Sequence, residues 1–119
     1  MILEDFLNSS AYLKLKSYKG AETPGSDYDI IDLLTKKRIL EVKKAILINK
    51  FSWIRVRKIM ISKLGKPKTR KFRPLGIPSI NDRLVQKVIQ IIIEPIYEIN
   101  FNNNLYSFRP NRGCHTALK

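Results

Sequence analysis

The segment best equipped for chemistry is Arg73-Pro74-Leu75-Gly76-Ile77-Pro78, followed by Asn81-Asp82-Arg83-Leu84-Val85-Gln86. An extended stretch stiffened by prolines and leading into a capped helix would hold Arg73 in one direction. With a lysine from the preceding basic run, an arginine held that way can grip a triphosphate or a backbone phosphate. The same residues also fit a plainer role, a stiff turn whose arginine packs on the helix. Charge is the second signal. The 119 residues carry 23 Lys/Arg against 10 Asp/Glu, a formal charge of +13. Residues 36–73 hold fifteen of the basic groups and one acid, Glu41, for a local balance of +14. So much like charge repels itself unless a polyanion neutralises it. Nucleic acid is the leading polyanion, because each neutralised phosphate releases counterions. A solvated face and an anionic membrane surface are the competing readings. Charge alone gives binding without base readout.

Other chemistries are excluded or weak. One cysteine, Cys114, rules out an internal disulfide framework, and one histidine, His115, leaves no zinc cluster. Side chains one apart on a helix diverge, so Cys114 and His115 are not a nucleophile pair. The strongly apolar run Val88–Ile93 is broken by Gln90 and falls short of a membrane span. Trp53 and the tyrosines read as core rather than as stacking platforms for bases. Hydrophobic residues make up 44%, too many for a disordered basic tail. The bias toward Ile, Lys and Asn points to AT-rich coding DNA, either organellar or bacterial. The first sixteen residues hold Glu4 and Asp5 and no Arg, unlike an import presequence.

The elements that must position these residues follow from spacing. Residues 2–18 suggest a helix interrupted near Asn8–Ser10. Lys19 to Asp27 is rich in Gly, Pro and small polar residues and reads as loop. Between Asp29 and Ile48, Ile30, Leu33, Leu34, Ile39, Val42, Ile46 and Leu47 suit one or two amphipathic helices. Residues 53–61 alternate as a strand, Lys63–Lys71 is a basic hairpin tip, and Phe72–Ile77 is the return strand, held to an edge by Pro74. A helix capped by Asn81 then carries Leu84, Val85, Val88, Ile89, Ile92, Ile93 and Ile96, with Arg83 on the opposite side and Pro95 kinking or shortening it. Asn100–Asn104 forms a turn, and another helix opens at Cys114.

Three ordered blocks carry a family resemblance. Lys19-Gly20-Ala21, Thr23-Pro24-Gly25-Ser26-Asp27 is similar to a KGA-x-TPG-x-DG loop. Ile59–Lys63 with Arg73–Gln86 is similar to IPK…RPLGIP…DR-x-VQ. Glu94-Pro95-Ile96-Tyr97-Glu98, Phe101 and Tyr106–Arg112 are similar to EPIFE…F…YGFRPGR. Together, from about residue 11 to residue 119, they resemble the amino-terminal part of the reverse transcriptase domain of group II intron-encoded proteins, the intron maturases. Ser62, Ser107, Asn111 and Tyr28 depart from the pattern, the last three standing where it has glycine.

The resemblance implies an α+β fold: reverse transcriptase fingers with N-terminal helices, a basic β-hairpin and a long amphipathic helix, the palm catalytic core being absent. Residues 1–119 would be a partial fingers domain, with 1–50 a helical and loop extension and 51–119 the hairpin plus helix. It implies a vestigial nucleotide-phosphate site at Arg73 and Lys63, with Lys66 a rival to Lys63, and Phe108 and Arg109 near the nucleotide and template pocket. It makes RNA the polyanion, held by Lys36, Lys37, Lys43, Lys44, Arg55, Arg57, Lys58, Lys68, Arg70, Lys71 and Arg112. Copying RNA needs two metal ions on converging carboxylates. The family supplies these from a later aspartate strand and a Tyr-Ala-Asp-Asp box, beyond residue 119. Asp27 and Asp29 lie two apart, but by resemblance sit in a loop far from that centre.

The expectation is therefore a truncated maturase-like protein that binds intron RNA in splicing. It would have no catalytic residue, metal site or cofactor of its own, magnesium entering only with a palm supplied in trans. The alternatives are a structural RNA-binding subunit of an organellar ribonucleoprotein such as the mitochondrial ribosome, a decayed reading frame, or one half of an enzyme completed by a separate palm and thumb. The expected location is the mitochondrion, with plastid or AT-rich bacterium as alternatives, and no membrane partner. The stripe from Leu84 to Ile96 also predicts poor solubility when uncovered.

Overall fold

A computed structural model describes residues 2–62 and 72–118 of the chain. Helix α1 spans Ile2–Lys16 without the interruption expected near Asn8. The weak helix formers there cost only tenths of a kilocalorie each. Ala11 is fully buried, and Lys14 and Lys16 complement the dipole at the helix end. A loop follows, then a 3-10 turn at Ile31–Leu33 and helix α2 at Lys36–Leu47. Thr35 caps α2 by accepting from the Arg38 amide at 3.4 Å. The other end closes when Asn49 turns left-handed at φ 54°. The Asn49 amide then bonds the Ile46 carbonyl and the Lys50 amide the Ala45 carbonyl, which satisfies the last carbonyls. Val42 is buried, but Ile46 and Leu47, expected inside, are exposed.

Strands β1 (Arg57–Ser62) and β2 (Phe72–Ile77) pair antiparallel, with Arg57 opposite Ile77 and Ser62 opposite Phe72. The return strand lies where its sequence put it; β1 starts later than expected. Residues 54 and 55 give their backbone groups to side chains instead. The Ile54 amide donates to Asp82 Oδ2 at 3.2 Å, and the Arg55 carbonyl accepts from the Ser26 hydroxyl. The tip, Lys63–Lys71, lies outside the described residues.

Helix α3 runs Ile80–Glu98 and continues through Pro95. Its cap is Ser79, whose hydroxyl accepts from the Asp82 amide at 3.2 Å. Asn81 was the expected cap, but its Oδ1 is engaged by Arg38 Nε at 3.0 Å. A four-residue helix α4, Cys114–Ala117, ends the described chain. The architecture is thus helices plus one two-stranded antiparallel sheet, an α+β arrangement.

The chain forms two compact units, Met1–Val88 and Ile89–Lys119. In the first, Ala11, Ala21, Ile31, Leu34, Val42, Ile77, Ile80, Leu84 and Val85 form the buried core. In the second, the one buried residue among those described is Arg109.

Candidate nucleic-acid interface

Basic residues reach the surface from three elements of the first unit. On α2, Lys36, Lys37 and Lys44 are exposed, while Lys43 is half-buried. On the segment before β1, Arg55 is exposed. On the hairpin, strand alternation puts Arg57, Ile59 and Ile61 on one face with Arg73, Leu75 and Ile77. Lys58 lies on the other face. Arg57 and Arg73 stand about 14 Å apart along that face, four residues in register. Arg73 and Lys58 are exposed, whereas Arg57 is half-buried and donates to the Pro24 carbonyl at 3.3 Å. Lys63, Lys66, Lys68, Arg70 and Lys71 fall outside the described residues.

Arg83, read from sequence as lying opposite the apolar stripe, organises this unit. Its Nε donates to the Pro78 carbonyl at 3.0 Å, Nη1 to Gly20 at 3.2 Å and Nη2 to Thr23 at 2.7 Å. The loop of the first motif block is thereby strapped to the start of α3, in the second block. Gly25 makes the approach possible: a Cβ there would lie 2.7 Å from the Pro78 carbonyl oxygen and 2.8 Å from Ser79 Cα. Burial pulls the Arg83 pKa below the ordinary arginine value, and the charge of Asp27 offsets part of that. Asp27 keeps both carboxylate oxygens buried without a hydrogen-bond partner among the described residues. Arg38 adds a second strap, pairing with Asp29 while also holding Asn81. No local signal in sequence marks Arg83, since the Gly20 and Thr23 carbonyls it gathers lie 63 and 60 residues away. Carbonyls of a Gly/Pro-rich loop have no ladder to join, and a guanidinium offers five donors.

In the second unit both arginines of the third block bond loop carbonyls, Arg109 buried and Arg112 half-buried. Arg109 is 8% exposed. Its Nε and Nη2 pair with Glu98, the shortest contact being 2.6 Å, and Nη1 donates to the Asn102 and Leu105 carbonyls at 2.9 and 3.1 Å. Its guanidinium carbon also lies 5.5 Å from the Phe101 ring centre. The Arg109 hydrogen bond holds the Glu98 carboxyl below the usual carboxylate range, opposed by some desolvation and helped by the charges of Arg109 and Arg112. Arg112 donates to the Asn103 carbonyl at 2.7 Å and sits over the Tyr106 ring. Phe108 is fully exposed on a left-handed backbone, φ 59°. The resemblance implies a place for Arg109 near the nucleotide and template pocket; in this chain its donors hold the turn that presents Phe108.

Among the described residues, no group of three or more His, Cys, Asp or Glu side chains could hold a metal ion. No described helix is long and apolar enough to cross a membrane. Trp53, expected in the core, is 56% exposed.

No protein-family model matches the chain. It is 39% identical over 109 residues, 92% of its length, to the group II intron-encoded protein LtrA of Lactococcus lactis subsp. cremoris, covering 18% of that protein. It is 34% identical over 109 residues to the putative COX1/OXI3 intron 2 protein of Saccharomyces cerevisiae, which covers 91% of this chain and 12% of the relative. A shorter match, 50% over 38 residues, joins 32% of the chain to 5% of nuclear intron maturase 2, mitochondrial, of Arabidopsis thaliana. The chain thus spans less than a fifth of each of these relatives.

Proposed function

Because the chain is homologous over nearly its whole length to part of the group II intron-encoded proteins, we propose that it is a maturase-like RNA-binding module acting in intron splicing. In this reading it corresponds to the fingers part of a reverse transcriptase domain. The observation that carries the reading is the basic surface of the first unit. Lys36, Lys37, Lys44, Arg55, Lys58 and Arg73 are all exposed within the segment of charge +14. Structured intron RNA is the partner. A mitochondrial setting is the leading one, since relatives include a mitochondrial maturase as well as a bacterial protein.

These 119 residues are proposed not to copy RNA unaided. Two-metal chemistry needs carboxylates that converge, no such group of three or more stands among the described residues, and three of the described acids hold the fold. Asp29 pairs with Arg38, Asp82 takes the Ile54 amide, and Glu98 takes Arg109. Magnesium would enter with a palm and thumb supplied separately. The test is RNA affinity against salt. Six phosphate contacts should cost about a thousand-fold in affinity between 50 and 200 mM salt. A flat dependence overturns the RNA reading, and primer extension by the chain alone overturns the second proposal.

A further inference from the structure

We infer that Trp53, braced by Phe51, is a stacking platform for an unpaired RNA base, so that the chain selects single-stranded RNA next to its basic surface. The inference rests on the RNA-binding reading above and adds the form of RNA recognised. Four observations carry it. More than half of the Trp53 side chain is open to solvent, although large apolar rings are normally buried. The Phe51 ring meets it edge-on, centres 5.1 Å apart at 90°, so the indole is braced by one neighbour. The next two residues are tied down: the Ile54 amide bonds the buried Asp82, and the Arg55 carbonyl accepts from Ser26. The indole therefore sits on an anchored strap, and a ligand meets it with little ordering cost.

The fourth observation is charge. From Glu41 to Asp82 the sequence has no acid between them, and the exposed Lys50 and Arg55 lie three and two residues from Trp53. Three extended residues span about 11 Å at most. Both cations can therefore reach phosphates flanking a base stacked on the indole. An aromatic face beside a cationic track is how single strands are held without sequence preference, because every base offers a π-face. A duplex keeps its bases stacked on one another and has none to offer.

Trp53 is the sole tryptophan, so its emission reports on the site directly. A ten-nucleotide single-stranded RNA of mixed sequence, titrated into the 119-residue chain, should quench that emission. The midpoint should match the one read by anisotropy of the labelled RNA. Trp53→Ala should weaken single-strand binding roughly five- to a hundred-fold, the range of one base stack. It should leave the salt dependence and duplex binding within two-fold, and Trp53→Phe should restore most of the loss. Salt-dependent RNA binding with unchanged emission and an unaffected Trp53→Ala variant would sink the platform and leave the RNA reading standing. A blue shift that grows with protein concentration, and not with RNA, would assign Trp53 to contact between copies and also overturn the inference. Absence of RNA binding at every salt concentration would remove both.

Discussion

The two units solve the same local problem with opposite balances of forces. Each must fix an irregular Gly- and Pro-containing loop whose carbonyls have no ladder to join. In each, one arginine gathers several groups at once, helped by Arg38 and Arg57 in the first and by Arg112 in the second. In the first, Arg83 gathers the carbonyls of Gly20, Thr23 and Pro78 beside a core built on Ile31, Leu34, Ile80 and Leu84. In the second, Arg109 gathers Asn102, Leu105 and Glu98, while Ile89, Ile92, Ile93, Ile96 and Ile99 stay exposed. An arginine clamp can shape a loop in either setting. Cooperative stability needs buried apolar area, and that is concentrated in the first unit.

The largest effect should therefore separate the two halves of α3. Leu84 is 2% exposed, and Leu84→Ala should cost about 2–5 kcal/mol in urea unfolding. Ile92→Ala, on the exposed part of the same helix, should cost less than about 1 kcal/mol. The paired change Ile92→Lys and Ile96→Lys should raise solubility and leave the melt nearly in place. Equal losses at Leu84 and Ile92 would show the comparison to be wrong.

The clamps themselves come next. Arg83→Ala strips three carbonyls of a charged donor and should cost about 2–3 kcal/mol of global stability. Arg83→Lys should recover little, because an ammonium lacks the fork that reaches three carbonyls. Arg109→Ala should act locally, raising amide exchange at Leu105 and Arg112 with little change in the global melt. The second clamp also depends on pH. Arg109 holds Glu98 below the ordinary carboxylate range, so its contribution is complete above about pH 4.3 and fades as pH falls through the depressed value. Exchange at the Leu105 amide should rise over that acid range in the native chain, and Glu98→Gln should abolish the dependence.

What was legible in sequence was whatever depended on short-range pattern. Alternation and a proline placed β2 at Phe72–Ile77, and the apolar spacing placed α3. The loop from Lys19 to Asp27 and the helix opening at Cys114 were legible for the same reason. Pairing across long separations was not. Asn81 has the right chemistry for a cap, yet Arg38, 43 residues earlier, takes its oxygen and leaves the cap to Ser79. Residues 54 and 55 read as strand, but Asp82 and Ser26 occupy their backbone groups. The candidate site divided in the same way. Exposed lysines on α2 follow from amphipathic spacing, while Arg83 and Arg109 turn inward because of loop carbonyls that no local pattern reveals.

The smallest expected effect tests backbone rather than side chains, with one position in each unit. Tyr28 and Asn111 both stand where the resembled motifs carry glycine, and both adopt φ 59°. The left-handed region is steeply unfavourable for a ring-bearing residue and tolerable for Asn, whose short polar side chain can bond locally. Tyr28 gains little in return, since its ring is exposed. Tyr28→Gly should therefore raise stability by up to about 1 kcal/mol, the relief of strain exceeding the added entropy of the unfolded chain. Asn111→Gly should change it by no more than a few tenths, because relief and entropy nearly cancel. A stabilised Asn111→Gly beside a neutral Tyr28→Gly would mean that the Tyr28 ring makes contacts worth its strain, and the first unit's loop would then be held by more than its arginines.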